Sequence, residues 1–284
     1  MNNIKLVYFG NDGNIIKSLY SEPGLHISGI IAESVSALNK KYFGSAYDFA
    51  KSKHIPVVEP KIFQKAPISI LNKKFGESEL GFSQGYGYLI PVDVINYFSK
   101  GIVNFHQSYL PAYKGRHSLN WALINGEEEA GITFHYINEK FDDGRIIYQE
   151  KIAIDPMETI MDLYDKTIEK GISRIRSVFI KIMNNEVLKP QEGNTSYYPP
   201  RKPEDGEINN TFTVKRVVDM VRALVFPYPG AFIRCGKNYI ILEEVMEVLQ
   251  ENIPLHNNNT KLFWFKNKLY MKLSINYKQN MNKL

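Results

Sequence analysis

Residues 4–20 read IKLVYFGNDGNIIKSLY, and they set the fold class. Six residues, Ile4 to Phe9, form an apolar run with the length of a buried strand. The cluster Gly10-Asn11-Asp12-Gly13 stops it, and Ile15, Ile16, Leu19 and Tyr20 then recur at helical spacing. A strand, a glycine-rich turn and a helix in that order form the first half of a βαβ unit. The pattern returns downstream: HISGIIA (26–32) reads as a strand, GSAYDFAKSKH as a short helix, IPVV as a third strand and LGFSQG (80–85) as a fourth. Strands alternating with helices predict a mostly parallel sheet covered on both faces, an α/β, Rossmann-like architecture. The first turn lacks G-x-G-x-x-G, and Glu33 is the lone acidic residue after the second strand. A dinucleotide fingerprint is therefore missing, and Gly10 and Gly13 are read as turn residues.

Further along, AGITFHYIN (130–138) and RIIYQEKIAI (145–154) are two strands joined by a short connection, EKFDDG. A long helix follows. Asp155-Pro156-Met157-Glu158 has the residues of a capped helix start, and Ile160, Leu163, Tyr164, Thr167, Ile168, Ile172, Ile175, Val178 and Phe179 mark one buried face. The stretch NEVLKPQEGNTSYYPPRKPEDGEIN then reads as a surface linker. Beyond it lie a helix over 213–224, the motif FPYPGAF, and a tail whose strands fall at 238–248 and 261–275, the second folded into a hairpin at Lys266-Asn267-Lys268. The expected organisation is a catalytic domain over 1–190, a linker and helix over 191–232, and a small β region, a truncated barrel, over 233–284.

The chain has 284 residues, 44% of them hydrophobic and 23% charged, the composition of a globular protein rather than a disordered one. One cysteine, Cys235, excludes an internal disulfide and cysteine-rich metal sites, so no metal is expected and a reducing, cytoplasmic setting is. No segment approaches the ~18 apolar residues of a membrane span, and the opening run is too short for a signal peptide. A net charge of +5, scattered along the chain, suits anionic small molecules and shows no block of basic residues for nucleic acid.

The chemistry concentrates in GIVNFHQSYLPAYKGRHSLNWALINGE (101–127). In a strand Ile102-Val103-Asn104-Phe105-His106, side chains alternate between faces, so Asn104 and His106 point the same way. They sit at a strand's carboxyl end, where parallel sheets form their ligand crevice. This segment, continued through EEEAGITFHYINEKFDDG, resembles the core of the 10-formyltetrahydrofolate-dependent formyltransferases: N-x-H-x-S-L-L-P, then R-G, a helix, G-V-T and D-x-G. The likeness extends to GYGYLIP, SYYPPRKPEDGEI and FPYPGAF, covering most of residues 1–232.

The resemblance implies a catalytic set of Asn104, His106 and, in FDDG, Asp142 rather than Asp143. It implies a site for 10-formyltetrahydrofolate between the loop Tyr88-Leu89-Ile90 and the segment Asn138, Glu139, Lys140, Phe141 and Asp142, with Arg116 close by. The chemistry fits those residue types: an amide donor can stabilise the oxyanion of a tetrahedral intermediate, an imidazole can carry the proton, and a carboxylate can orient the imidazole. His135 is expected to be a packed or hydrogen-bonded strand residue, and His26, His54 and His256 are assigned no role.

Within the resemblance, the acceptor is expected to be a nucleotide-linked amino sugar. The loop ESVSALNKKYFG lacks the basic pattern of enzymes acting on methionyl-tRNA, and the tail is shorter than their barrel. KGRHSLNW and PYPGAF look like the amino-sugar branch, with dTDP-4-amino-4,6-dideoxyglucose or its 3-amino isomer favoured over UDP-4-amino-arabinose. Asn11 and Tyr228 are the expected substrate-binding residues. Such sugars point to surface polysaccharide, such as O-antigen, and the apolar Phe263-Trp264-Phe265 suggests a homodimer contact.

Overall fold

The computed structural model describes residues 3–209, 211–235, 238–247, 264–265 and 269–274. The chain divides into two compact, discontinuous units: Met1–Lys114, Gly131–Ile152 and Lys166–Ser196 form the first, and Gly115–Ala130, Ala153–Asp165 and Tyr197–Leu284 the second.

The first unit opens with β1 (Ile4–Gly10), α1 (Gly13–Ser21) and β2 (Leu25–Ile31), as the opening stretch predicts. Two helices follow, α2 (Ala37–Phe43) and α3 (Ala46–Ser52), of which the sequence reading anticipated only α3. Next come β3 (Val57–Val58), the short α4 (Pro60–Phe63) and α5 (Pro67–Ile70), β4 (Leu80–Gln84), α6 (Val92–Tyr97) and β5 (Ile102–His106). After β6 (Lys114–Gly115) and α7 (Ser118–Ile124), β7 (Glu129–Tyr136) and β8 (Ile146–Ala153) complete a seven-stranded sheet of order β3-β2-β1-β4-β5-β7-β8.

Its pairings are parallel from β3 through β5, and β7 runs antiparallel to β5. β1 is buried on both faces apart from Lys5, which is why it reads as a continuous apolar run instead of an alternating one. Asp12 caps α1, its carboxylate accepting from the N–H groups of Asn14 and Ile15 at 2.7 and 2.8 Å. Gly13 is needed for close approach: a Cβ there would lie 2.5 Å from the Ser45 nitrogen.

The long helix α8 (Ile160–Met183) begins later than expected. Asp155 and Glu158 do form the reciprocal bonds of a capping box: Met157 N–H donates to Asp155 Oδ1, and Asp155 N–H to Glu158 Oε2, each at 2.9 Å. That box closes a separate turn. A second box, Thr159 with Asp162, starts the helix, through Thr159 N–H to Asp162 Oδ2 at 2.9 Å and Asp162 N–H to Thr159 Oγ1 at 3.4 Å. Met157 is 80% exposed, so the first turn has no apolar anchor, whereas Ile160 and Leu163 are buried.

The second unit has its own core, in which Leu119, Leu123 and Ile124 of α7 meet Ile160, Leu163, Val217, Met220 and Val221. Between α8 and the last helix the chain adds β9 (Tyr197–Tyr198). Helix α9 (Val214–Ala223) is capped by Thr213, which accepts from Arg216 N–H. An antiparallel sheet of order β10-β11-β13-β12 is built from β10 (Ala231–Cys235), β11 (Asn238–Glu247), β12 (Trp264–Phe265) and β13 (Leu269–Ser274). The expected turn at 266–268 and the side chains of 263–265 lie outside what is described. No helix among the described residues is long and apolar enough to cross a membrane.

Candidate active site

At the carboxyl end of β5, the antiparallel register sets Asn104 opposite His135 and His106 opposite Thr133. Three expected residues meet here. Asn104 Nδ2 lies 3.3 Å from Asp142 Oδ1 and 3.2 Å from His135 Nε2. His106 is buried, with Nε2 2.9 Å from the Tyr113 carbonyl and Nδ1 3.8 Å from Asp142 Oδ1.

Tautomers follow from these partners. A carbonyl only accepts, so His106 carries its proton on Nε2 and turns an unprotonated Nδ1 toward Asp142 when neutral. By the same logic His135 donates from Nδ1 to the Tyr136 carbonyl at 2.8 Å, leaving its Nε2 to accept from Asn104.

The loop that delivers Asp142 is held from several sides. Asp142 adopts φ 47°, and Gln191 Nε2 donates to the carbonyls of Asp142 at 2.7 Å and Gly144 at 2.9 Å. Only glycine fits at position 144, because a Cβ would lie 1.7 Å from the Tyr136 carbonyl oxygen. Asp143 turns away and pairs with Lys114, a lysine with only 8% of its side chain exposed. That ammonium holds the Asp143 carboxyl below the usual carboxylate range. Of the two adjacent aspartates, then, Asp142 faces the asparagine and histidines and Asp143 holds the loop.

A cavity of about 100 Å³ adjoins this cluster, lined by Tyr88, Leu89 and Ile90 on one side and Asn138 to Asp142 on the other, with Asn104 and His135 at its base. These are the two walls expected for the folate. Leu89 and Phe141 are 62% and 60% exposed, large apolar surfaces at its edge, while Ile90 also packs in a core cluster with Phe9 and Phe98. Gln64 Nε2 donates to the Leu89 carbonyl, and Tyr88 Oη donates to Glu33 Oε1 at 2.7 Å. Burial pushes the Tyr86 hydroxyl up to about 12, so it stays a neutral phenol in the lining.

The remaining expected residues lie elsewhere. Asn11 uses Oδ1 to accept from Glu33 N–H at 2.8 Å, so it connects to Tyr88 through Glu33. Arg116 and Tyr228 belong to the second unit. Arg116 N–H donates to the Tyr198 carbonyl, and Tyr228 packs on that unit's core, burial raising its pKa. Lys114, Gln191 and His135 complete the site without having been singled out for it. His135 was expected to be hydrogen-bonded in its strand, and only the antiparallel register shows that its partner is Asn104. Among the described residues no group of histidine, cysteine and carboxylate side chains is arranged to hold a metal.

Residues 61–178, which contain Asn104, His106 and Asp142, match the formyl transferase family model. The chain is thus similar to the family over its central part, and its fold is a formyltransferase fold. Three solved structures align over nearly all of it or most of it. The sugar 3N-formyl transferase WlaRD, in the presence of dTDP and 5-N-formyl-THF, aligns with TM-score 0.68 and 19% identity over 97% of this chain and 99% of that one. The N-formyltransferase from Helicobacter canadensis, in complex with folinic acid and dTDP-3-aminofucose, aligns with TM-score 0.69 and 20% identity over 95% and 100%. A 4-N formyltransferase from Francisella tularensis aligns with TM-score 0.66 and 20% identity over 82% and 93%.

Proposed function

We propose that this protein transfers the formyl group of 10-formyltetrahydrofolate to the amine of a nucleotide-linked amino sugar. The observation that carries the reading is the meeting of Asn104, His106 and Asp142 within the segment that matches the formyl transferase family model. In the reaction the sugar amine attacks the formyl carbon, a C–N bond forms, and the bond from that carbon to folate N10 breaks. The proton lost by the amine ends on N10. His106 Nδ1 is the nitrogen that exchanges it, since Nε2 is engaged by Tyr113, and the Asp142 carboxylate faces that nitrogen at 3.8 Å.

Asn104 Nδ2 is the donor for the oxyanion of the tetrahedral intermediate. Both of its hydrogens face protein partners, Asp142 and His135. Stabilising the oxyanion therefore requires one to be released, and the longer contact, to Asp142 at 3.3 Å, is the one to give way.

The acceptor we favour is dTDP-4-amino-4,6-dideoxyglucose or its 3-amino isomer. The retained Leu119-Asn120-Trp121 and the PYPG loop support a sugar acceptor, and so does the likeness to the three sugar-type formyltransferases above, which include both 3-N and 4-N enzymes. A methionyl-tRNA formyltransferase also shares the fold, with TM-score 0.59. A mass-spectrometric assay tests the reading: 10-formyltetrahydrofolate is offered with dTDP-linked 3-amino and 4-amino sugars, UDP-4-amino-arabinose and initiator methionyl-tRNA. One formyl group added to a single dTDP sugar is the expected result. Transfer to the tRNA, or to nothing in the panel, would overturn it.

A further inference from the structure

Away from the histidine cluster, the second unit contains a guanidinium in an unusual state. Arg201 Nε is fully enclosed and unpartnered, and its side chain makes no hydrogen bond or ion pair with any described residue. Its one close neighbour of note is the Trp121 ring, with the Arg201 Cζ 5.8 Å from the centroid. Burial pushes the Arg201 pKa down, opposed by Asp205, whose Oδ2 is already taken by Lys202 N–H at 2.6 Å. A partly buried guanidinium whose enclosed Nε has no hydrogen-bond partner is costly, and arginine is the side chain whose planar fork suits phosphate.

The surroundings are arranged to keep positive charge in place. Arg201 N–H donates to His117 Nδ1 at 3.0 Å, and Arg116 N–H donates to the Tyr198 carbonyl at 3.1 Å. Gly115 allows that approach, since a Cβ there would lie 2.2 Å from the Tyr198 oxygen. Trp121 is itself oriented, donating from Nε1 to the Pro199 carbonyl at 3.3 Å and lying 5.3 Å from the Tyr198 ring. His117 uses Nδ1 as an acceptor and so is neutral with its proton on Nε2. Burial, then Arg116 and Arg201, lower its pKa.

We infer that Arg201, backed by Arg116 and His117 and stacked on Trp121, is the anchor of an anion subsite in the second unit, built for a phosphate or diphosphate group. The identification of that group as the diphosphate of the nucleotide-linked acceptor rests on the function proposed above; the anion site itself does not.

Calorimetric titration of the intact protein with inorganic pyrophosphate and, separately, with dTDP tests it, without folate or sugar. Both anions bind the wild type, Arg201→Met weakens each at least tenfold, and Arg201→Lys, which keeps the charge but not the fork, falls between. Circular dichroism of each variant against the wild type separates loss of the anion contact from loss of the fold. Should Arg201→Met fail to fold, Arg201→Lys alone decides between weakened and unchanged binding. Tighter binding of dTDP than of pyrophosphate identifies a nucleotide as the source; equal affinity identifies free phosphates. Absence of binding to the wild type, or binding unchanged in both Arg201 variants, overturns the inference. Formyl transfer without an Arg201-dependent anion site sinks this inference alone, and an Arg201-dependent anion site without formyl transfer sinks the function alone.

Discussion

The histidine cluster of the first unit and the arginine cluster of the second differ in how far their polar groups satisfy one another. Around Asn104 every donor has an acceptor: its amide faces Asp142 and His135, His106 rests on the Tyr113 carbonyl, and Lys114 on Asp143. Around Arg201 the enclosed Nε of the central cation has none. A network closed on itself holds the catalytic groups in register, and the Asn104 amide gives up only its longer contact, to Asp142, to reach the developing oxyanion. A donor left unpaired in a partly buried place fits a group that arrives with the substrate. The contrast predicts different signatures, kcat in the first cluster and affinity in the second.

The largest expected effects test the closed network. Asn104→Ala and His106→Asn should each lower kcat by about 10²–10⁴-fold while folate still binds, since the walls at 88–90 and 138–142 are untouched. Stopped-flow transfer together with equilibrium folate binding would show this. Turnover retained in either variant would remove that residue from the mechanism.

The adjacent aspartates sharpen the comparison. Asp142→Asn should lower kcat strongly, because it removes the carboxylate beside His106, with little change in stability. Asp143→Asn should do the reverse. It leaves the nearly sealed Lys114 ammonium unpaired, and because Asp143 is itself 36% exposed the loss is about 1–3 kcal/mol rather than that of a deeply buried pair. Urea midpoints and kcat measured on both variants decide it, and equal kcat losses would mean that the two carboxylates do not divide their work.

Much of this was legible in the sequence, and unevenly. Alternation along a strand was enough to put Asn104 and His106 on one face, and the opening strand, turn and helix were enough for the parallel part of the sheet. The choice of Asp142 over Asp143 rested on resemblance, since nothing in FDDG by itself says which carboxylate turns inward. The geometry supplies the reason: φ 47° at Asp142, the Gln191 clamp and a lysine that draws Asp143 aside. His135 was read correctly as hydrogen-bonded, but its partner depended on β7 running antiparallel to β5, a register that a local reading does not contain. Lys114 and Arg201 were invisible because burial of a cation is a tertiary fact. The start of α8 shows the opposite limit, two capping boxes in tandem, separated only by which following residue finds a core.

Thr159→Ala tests that last point. It removes the hydroxyl that accepts from Asp162 N–H and should cost about 1 kcal/mol. Pro156→Ala, in the turn before the helix, should cost less, and urea midpoints for both would place the helix start experimentally. A larger loss at Pro156 would move it back to the first box.

The smallest effect belongs to Glu150, a surface carboxylate tied to Tyr148, Lys170 and Arg174. The Tyr148 hydrogen bond, reinforced by those two cations, pulls its pKa down from 4.5 to about 2. A depressed acid pKa stabilises the fold above the unfolded-state value and ceases to do so as protons return. Its contribution is thus complete above about pH 4.5 and is lost as pH falls toward 2. With its partners partly exposed the contribution is about 1 kcal/mol at most. Glu150→Gln should leave kcat unchanged at neutral pH and flatten the stability profile across that acid window. A profile as steep as the wild type's would assign the acid sensitivity to Asp143, whose carboxyl is also held low by its lysine and whose loss would register in the Asp143→Asn variant instead.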